Sequence, residues 1–308
     1  MNQNFVKTFI FMVGLIAIFT SCSLLRPEKS TAPIPSGTES PNLSTPVPSD
    51  TNVSEVDNIN PYKPVIILPY GNTMEKGYVM GGSKDGKWIG ISDLKISESN
   101  IGKEVDIDLI NGSENYMFYS AGQLVGEGKG SKATYIISEG SGSEMLFVNV
   151  TPFPQVKGDL VIGINGNWDP LPSIPKKATY DLNKHLAPVI DATGFDKSSE
   201  IKDVTLVDID GDGNDESIIN IISSPSGNSP EGVEKKSLIV VEKKINDEVK
   251  YIKLHESYFK IRCYAYDLNG DGKMEIILEG SAHEEHFVNS YEIDGENSRS
   301  AISFYEGV

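Results

Sequence analysis

The sequence predicts a mainly β protein, with an N-terminal β-sandwich or barrel-like domain, a short helical connector and a C-terminal β domain of two repeated units. Three observations predict this. Between Tyr62 and Asn165, eight short apolar runs recur, separated by Gly, Asn, Ser and Asp clusters, the spacing of strands and turns. A single stretch, 179–194, carries apolar residues at helical spacing. An acidic, glycine-rich segment between apolar runs occurs twice, 59 residues apart, which marks an internal repeat.

Taken in order, residues 1–21 read as an export signal. Lys7 supplies a positive start, Phe9 to Phe19 an unbroken apolar run, and Thr20 and Ser21 small residues before Cys22. The run is too short to span a bilayer, which takes about 20 apolar residues. Small residues ending at a cysteine resemble a bacterial lipobox, with Phe19 where Leu is usual. The resemblance implies lipidation at Cys22 and a protein held on the extracytoplasmic face of a cell membrane. Two or three acyl chains at about 0.8 kcal/mol per buried methylene would anchor it stably. Residues 22–60 are then the lipidated cysteine and a tether. Pro, Ser, Thr, Asn and acidic residues dominate there and no aromatic appears, so the segment buries too little apolar surface to offset its ordering entropy. As a flexible coil it would span roughly 35 Å, and fully extended it would approach 120 Å.

The formal charge is −17, and −18 once Lys7 leaves with the signal. Such a chain disfavours nucleic acid, whose affinity comes from neutralised phosphates, and suits cations. Arginine is confined to Arg26, Arg262 and Arg299. With Cys22 lipidated, Cys263 is the one cysteine left, so no disulfide forms within the mature chain. Its place in the alternating run IRCYAY makes it a small buried hydrophobe.

Residues 61–172 form the first β domain. Its expected strands are 64–70, 77–82, 86–91, 104–110, 115–120, 132–138, 144–150 and 159–165, with Val105, Ile107 and Leu109 alternating onto one face. The Pro-rich stretch 168–177 closes it. A linker and helix occupy 173–200: Leu182, Leu186, Val189 and Ile190 share a face, Thr179 can cap, Gly194 can terminate, and Pro188 should bend or split the helix.

Residues 201–308 hold the two repeats. In TLVDIDGDGNDESIINI (205–221) and CYAYDLNGDGKMEIILE (263–279), Asp208 matches Asp267, Asp210 matches Asn269, Asp212 matches Asp271 and Glu216 matches Glu275. A hairpin pattern follows each, over 237–254 and 287–304. Alternate oxygen-bearing side chains at positions 1, 3 and 5 converge when such a loop curls. The carbonyl of Asn214 or Lys273 at position 7 can complete one side, and the acid at position 9 can close the shell. That chemistry suits a hard cation, and Ca²⁺ takes six to eight oxygen ligands. An EF-hand is excluded, because its loop needs Glu at position 12 between helices, and here Ile219 or Leu278 stands there between β runs. The DxDGDGxxE pattern instead resembles the calcium loops of FG-GAP and VCBS-type repeats, and the chain is similar to secreted bacterial proteins that place such repeats after a β domain. The resemblance implies two calcium sites of structural role. It supplies no activity, and two copies fall short of the four or more blades of a propeller.

Other candidates are weaker. His283 and His286 are three apart rather than the four of a zincin helix. Neither a GxSxG elbow nor a Walker-type loop occurs. Trp88 and Trp168 could stack on a sugar or peptide if exposed, though such residues more often pack a core. The functional expectation is a surface module binding carbohydrate or protein without catalysis, with an extracellular hydrolase or its accessory subunit, acting on cell wall or polysaccharide, as the alternative. Oligomeric state is open at this stage.

Overall fold

A computed structural model describes residues 60–68, 76–138, 140–154, 156, 159–179, 182–223, 235–258, 260–282 and 285–307. The signal, Cys22 and the tether before residue 60 lie outside the described residues. As expected, strands dominate, and one α-helix is present among the described residues.

The first nine strands are β1 (Lys63–Leu68), β2 (Lys76–Lys84), β3 (Lys87–Gly90), β4 (Glu104–Val105), β5 (Asn115–Ser120), β6 (Gln123–Gly130), β7 (Ala133–Ile137), β8 (Glu144–Thr151) and β9 (Val161–Ile164). They form one sheet in the order β3-β2-β1-β9-β5-β6-β8-β7-β4. Lys76–Tyr78 of β2 also pair with Phe147–Asn149 of β8, so the ring β2-β1-β9-β5-β6-β8 closes on itself as a barrel. Inside it lie Ile66, Val79, Tyr116, Phe118, Leu146 and Val148. Neighbours in the same strands, Val65, Ile67, Met80, Tyr119 and Ile162, face outward into a second apolar layer. Strands buried on both faces read as continuous apolar runs, which explains PVIIL and LVIGI.

Two sequence expectations fail here. Residues 104–110 are not a strand: pairing stops after Val105, and Ile110 turns back to donate to the Ile107 carbonyl at 3.2 Å. Leu109 and Ile110, both fully buried, plug the barrel instead of extending a ladder. Conversely β6, QLVGEGKG, is a strand with few β formers. A Cβ at Gly130 would lie 2.6 Å from the Tyr116 ring, and one at Gly128 would lie 2.5 Å from the Pro152 carbonyl, so glycine is what lets the barrel close over its aromatic core.

After β10 (Lys176–Lys177) comes α1 (Asn183–Thr193). It runs unbroken through Pro188, neither split nor capped by Thr179: its N-cap is Leu182, without a side-chain cap bond. Gly194 ends it as expected, with φ 69° and its N–H on the Ile190 carbonyl. Val189, Leu182 and Leu186 pack on the next sheet, and the buried His185 sits 2.7 Å from Glu242.

Each repeat is a four-stranded antiparallel meander. The first is β11 (Glu200–Val207), β12 (Glu216–Ile222), β13 (Ser237–Ile245) and β14 (Glu248–Ser257), with β10 added at its edge. The second is β15 (Lys260–Tyr266), β16 (Glu275–Ala282), β17 (Glu285–Asp294) and β18 (Asn297–Gly307). They stack face to face through Val207, Ile218, Ile239, Ile276 and Leu278. The other face of the second sheet, through Ile277, Val288, Ile302 and Phe304, packs on the outside of the barrel. The order is thus helix, first repeat, second repeat, barrel, with no propeller ring among the described residues. Glu285 and His286 lie in β17; His283 lies outside the described residues.

Candidate metal centre

The acidic segments link the first two strands of each meander, β11 to β12 and β15 to β16. Each begins with an aspartate whose carboxylate gathers the backbone amides of its own loop. Asp208 accepts from Gly211 at 2.8 Å, Asp212 at 3.1 Å and Gly213 at 2.9 Å. Asp267 accepts from Gly270 at 2.6 Å, Asp271 at 3.3 Å and Gly272 at 2.9 Å. The two glycines of each loop have φ between 72° and 89°, a region costly for residues with a Cβ. The ninth-position acids close the loops alike: Glu216 accepts from the Ile209 N–H at 2.8 Å, and Glu275 from the Leu268 N–H at 2.7 Å.

In the first loop, carboxylate oxygens of Asp208, Asp210 and Glu216 lie within 4.8 Å of one another. Two oxygens on one calcium ion can be no more than about 5 Å apart, so this group fits one. Asp210 Oδ2 holds the Lys243 ammonium at 2.5 Å. Asp210 Oδ1 is sealed from solvent and has no hydrogen-bond donor, although the carboxylate as a whole is a quarter exposed and already carries the Lys243 ammonium. Asp212 stands apart from the group, with Oδ1 taken by the Asn214 amide at 2.8 Å.

The second loop differs. Asn269 fills the third position; its Oδ1 accepts from Asp271 N–H at 2.9 Å and its Nδ2 points to Asp271 Oδ2 at 3.3 Å. Lys273 enters through its N–H on Asp271 at 2.9 Å. Asp267, Asn269 and Glu275 are all buried. Burial pushes Glu275 up to about 9, with Asp271, Asp267 and Glu292 adding to it. Burial likewise pushes Glu216 up to about 7, against the Ile209 N–H and helped by Asp210. A bound cation would reverse both directions.

Sequence reasoning missed the residues around the loops. Trp168 donates its indole N–H to the Asp267 carbonyl at 2.8 Å, and Asp267 donates back to the Pro170 carbonyl at 2.8 Å. Trp168 therefore packs at this seam. Lys63 of β1 lies 4.9 Å from the Trp168 ring centre and donates to the Asn269 carbonyl. Trp88 packs against the apolar layer between barrel and second repeat. Met274 donates to the Ile209 carbonyl at 2.7 Å, so the two loops touch. Beside the second loop, a cavity of about 180 Å³ is lined by Asp271, Glu275, Glu292, Asp294 and Arg299. Cys263 packs against the core between the repeats, and burial pushes its thiol up to about 12. No helix among the described residues is long and apolar enough to cross a membrane. Comparison with known proteins finds no family model, no curated protein and no solved structure that matches the chain.

Proposed function

We propose that this chain is a lipid-anchored, calcium-stabilised β module of the extracytoplasmic membrane face, binding a surface carbohydrate or protein and catalysing nothing. The observation that carries it is the convergence of Asp208, Asp210 and Glu216, one carboxylate oxygen of each within 4.8 Å of the others, where Asp210 Oδ1 has no hydrogen-bond donor. An all-oxygen set of this kind suits calcium or another hard cation rather than a thiolate or imidazole metal. Asp208, Asp210 and Glu216 would hold the first ion; Asp267, Asn269 and Glu275 the second. When bound, the ion supplies the positive charge that lets these carboxylates share one loop. The second loop also touches β1 through Lys63 and the barrel exit through Trp168, so its cation would brace the seam between repeat and barrel. A site with Kd of about 0.1 mM in about 1 mM calcium would add about 1.4 kcal/mol of stability.

The ligand face of this reading is a cleft of about 640 Å³ beside the start of β1, lined by Tyr62, Lys84, Asp106, Asp108, Asn111 and Lys132. Carboxylates, ammonium groups and an aromatic ring are what sugar hydroxyls and charged peptides use. The net charge of −17 argues against nucleic acid.

One observation favours the alternative, a hydrolase: the raised Glu275 beside Glu292 and Asp294 in a cavity. Two facts place it second. The cavity of about 180 Å³ is smaller than the roughly 300–1,000 Å³ of small-molecule sites. Glu275 is also 1% exposed, with one oxygen already bound to Leu268 N–H.

Calorimetric titration tests the metal. The wild-type chain should bind calcium, and the pair Asp208→Ala, Asp267→Ala should abolish binding; full binding by the pair would show the ligands to be wrong. Cys22→Ser should release the protein into the medium, and continued membrane association would refute the lipid anchor.

A further inference from the structure

The two repeats carry unlike residues at one equivalent place. In the first, Ser217 pairs with Glu242, and one step along the same register Glu216 lies opposite Lys243. In the second, Ile276 pairs with Tyr291, and one step along Glu275 lies opposite Glu292. Lys243 and Glu292 therefore flank the closing acid of their respective loops. A constant 59-residue offset would instead match Lys243 to Ile302.

Their surroundings differ in kind. Lys243 is 7% exposed, and its ammonium rests on Asp210 Oδ2, a carboxylate of the converging group. Glu292 pairs with Arg299, its partner across the β17–β18 hairpin, and lines the cavity beside Glu275. Of the other nearby cations, Lys63 sits on the Asn269 backbone carbonyl and Lys273 lines the same cavity. Among the described residues, no hydrogen bond or ion pair joins an ammonium or guanidinium to Asp267, Asp271 or Glu275, and Arg299 acts on Glu275 through space alone.

We infer that Lys243 is a tethered counter-ion built into the first loop, making the two calcium sites unequal. This rests on the reading that both loops bind calcium. The ammonium neutralises part of the first loop without metal, so that loop keeps its form unliganded and takes calcium weakly, against a positive charge already on Asp210. The second loop, with Glu292 in the same place, has no cation bonded to a loop carboxylate: Arg299 is held by Glu292, and Lys273 only lines the cavity. It fills first and depends on its ion. Lys243 is thus a determinant of affinity through charge, and Asp210 Oδ1 remains the oxygen offered to the ion.

The test is calorimetric titration of the full chain with calcium, read beside metal-free melting. Asp267→Ala isolates the first loop and Asp208→Ala the second; the first should be the weaker. In the Asp267→Ala background, Lys243→Gln should tighten calcium binding about tenfold, as expected for removing a positive charge a few ångströms from the ion. The same change should lower the metal-free melting temperature, and Lys243→Arg should restore both. As an independent arm, Glu292→Lys should weaken the second loop by a similar factor. If Lys243→Gln weakens or leaves unchanged the first loop's affinity, Lys243 only positions Asp210 and the inference is overturned while the calcium reading stands. If the wild-type chain takes up no calcium, the reading beneath it fails and the inference with it.

Discussion

Trp168 donates its indole N–H to the backbone carbonyl of Asp267 at 2.8 Å. A residue leaving the barrel thereby holds the first aspartate of the second loop. Gly270 accepts the ring's approach: a Cβ there would lie 2.8 Å from the indole, at a φ of 72°. Two substitutions separate these contributions. Trp168→Phe keeps the packing but removes the donor, and should cost about 1 kcal/mol. Gly270→Ala meets both the ring and the unfavourable φ, and should cost more than about 1 kcal/mol. Urea unfolding at fixed calcium measures both, and equal stability of Gly270→Ala and wild type would show that the ring does not press on this loop.

Metal removal should act through the loops. On the proposed calcium reading, EDTA should remove at least about 1.4 kcal/mol, or roughly 3–5 °C of melting temperature for a chain of this size. Calorimetry with and without EDTA checks it. The Asp208→Ala, Asp267→Ala pair should melt at one temperature in both conditions, since it has no ion to lose.

The loops were legible because their chemistry is local. Aspartates at alternate positions and glycines where φ must be positive encode the turn within nine residues, whatever packs around it. What surrounds them was not legible. Trp168 and Lys63 reach the second loop from 99 and 206 residues away. Lys243 was hidden because the connection between β12 and β13 is longer than that between β16 and β17, which breaks the offset that aligned the loops. Alternation misread 104–110, where Leu109 and Ile110 satisfy their burial by plugging the barrel. β6 was missed because its glycines are set by distant neighbours, Gly130 by the Tyr116 ring and Gly128 by the Pro152 carbonyl, a requirement no single run of sequence displays.

Glu279 gives a pH prediction away from the loops. It lies in β16 with a side chain 5% exposed. Burial alone would push its carboxyl up. The hydrogen bond and charge of His286 at 3.2 Å, with Arg262 at 3.3 Å and the Tyr264 hydroxyl at 3.1 Å, outweigh it and hold the group below its ordinary value. A depressed acid stabilises the fold above its unfolded value near 4.5, and that stability is lost as pH falls through the folded value. The wild type should lose stability below about pH 4.5 more steeply than Glu279→Gln, which is already uncharged but less stable at neutral pH. Parallel acid limbs in denaturant melts of the two proteins would show that Glu279 gains nothing from His286 and Arg262.

Ile277 tests whether barrel and second repeat unfold together. It is fully buried on the face of β16 that meets Val65, Ile67, Met80 and Ile162 of the barrel, while its neighbours Ile276 and Leu278 face the first repeat. Truncation to alanine opens a cavity in the layer shared by sheet and barrel and should cost about 2–5 kcal/mol. Because that layer belongs to both, the loss should appear in one transition rather than in the repeat alone. Trp88 lies in β3, which pairs with β2 at the edge of the barrel sheet, and Trp168 at the second loop, so Trp88→Phe and Trp168→Phe backgrounds report on the two regions by fluorescence. Ile277→Ala should lower the urea midpoint equally in both backgrounds. A lowered midpoint for the Trp168 signal with an unchanged one for Trp88 would mean that the barrel folds independently of the repeat stacked on it.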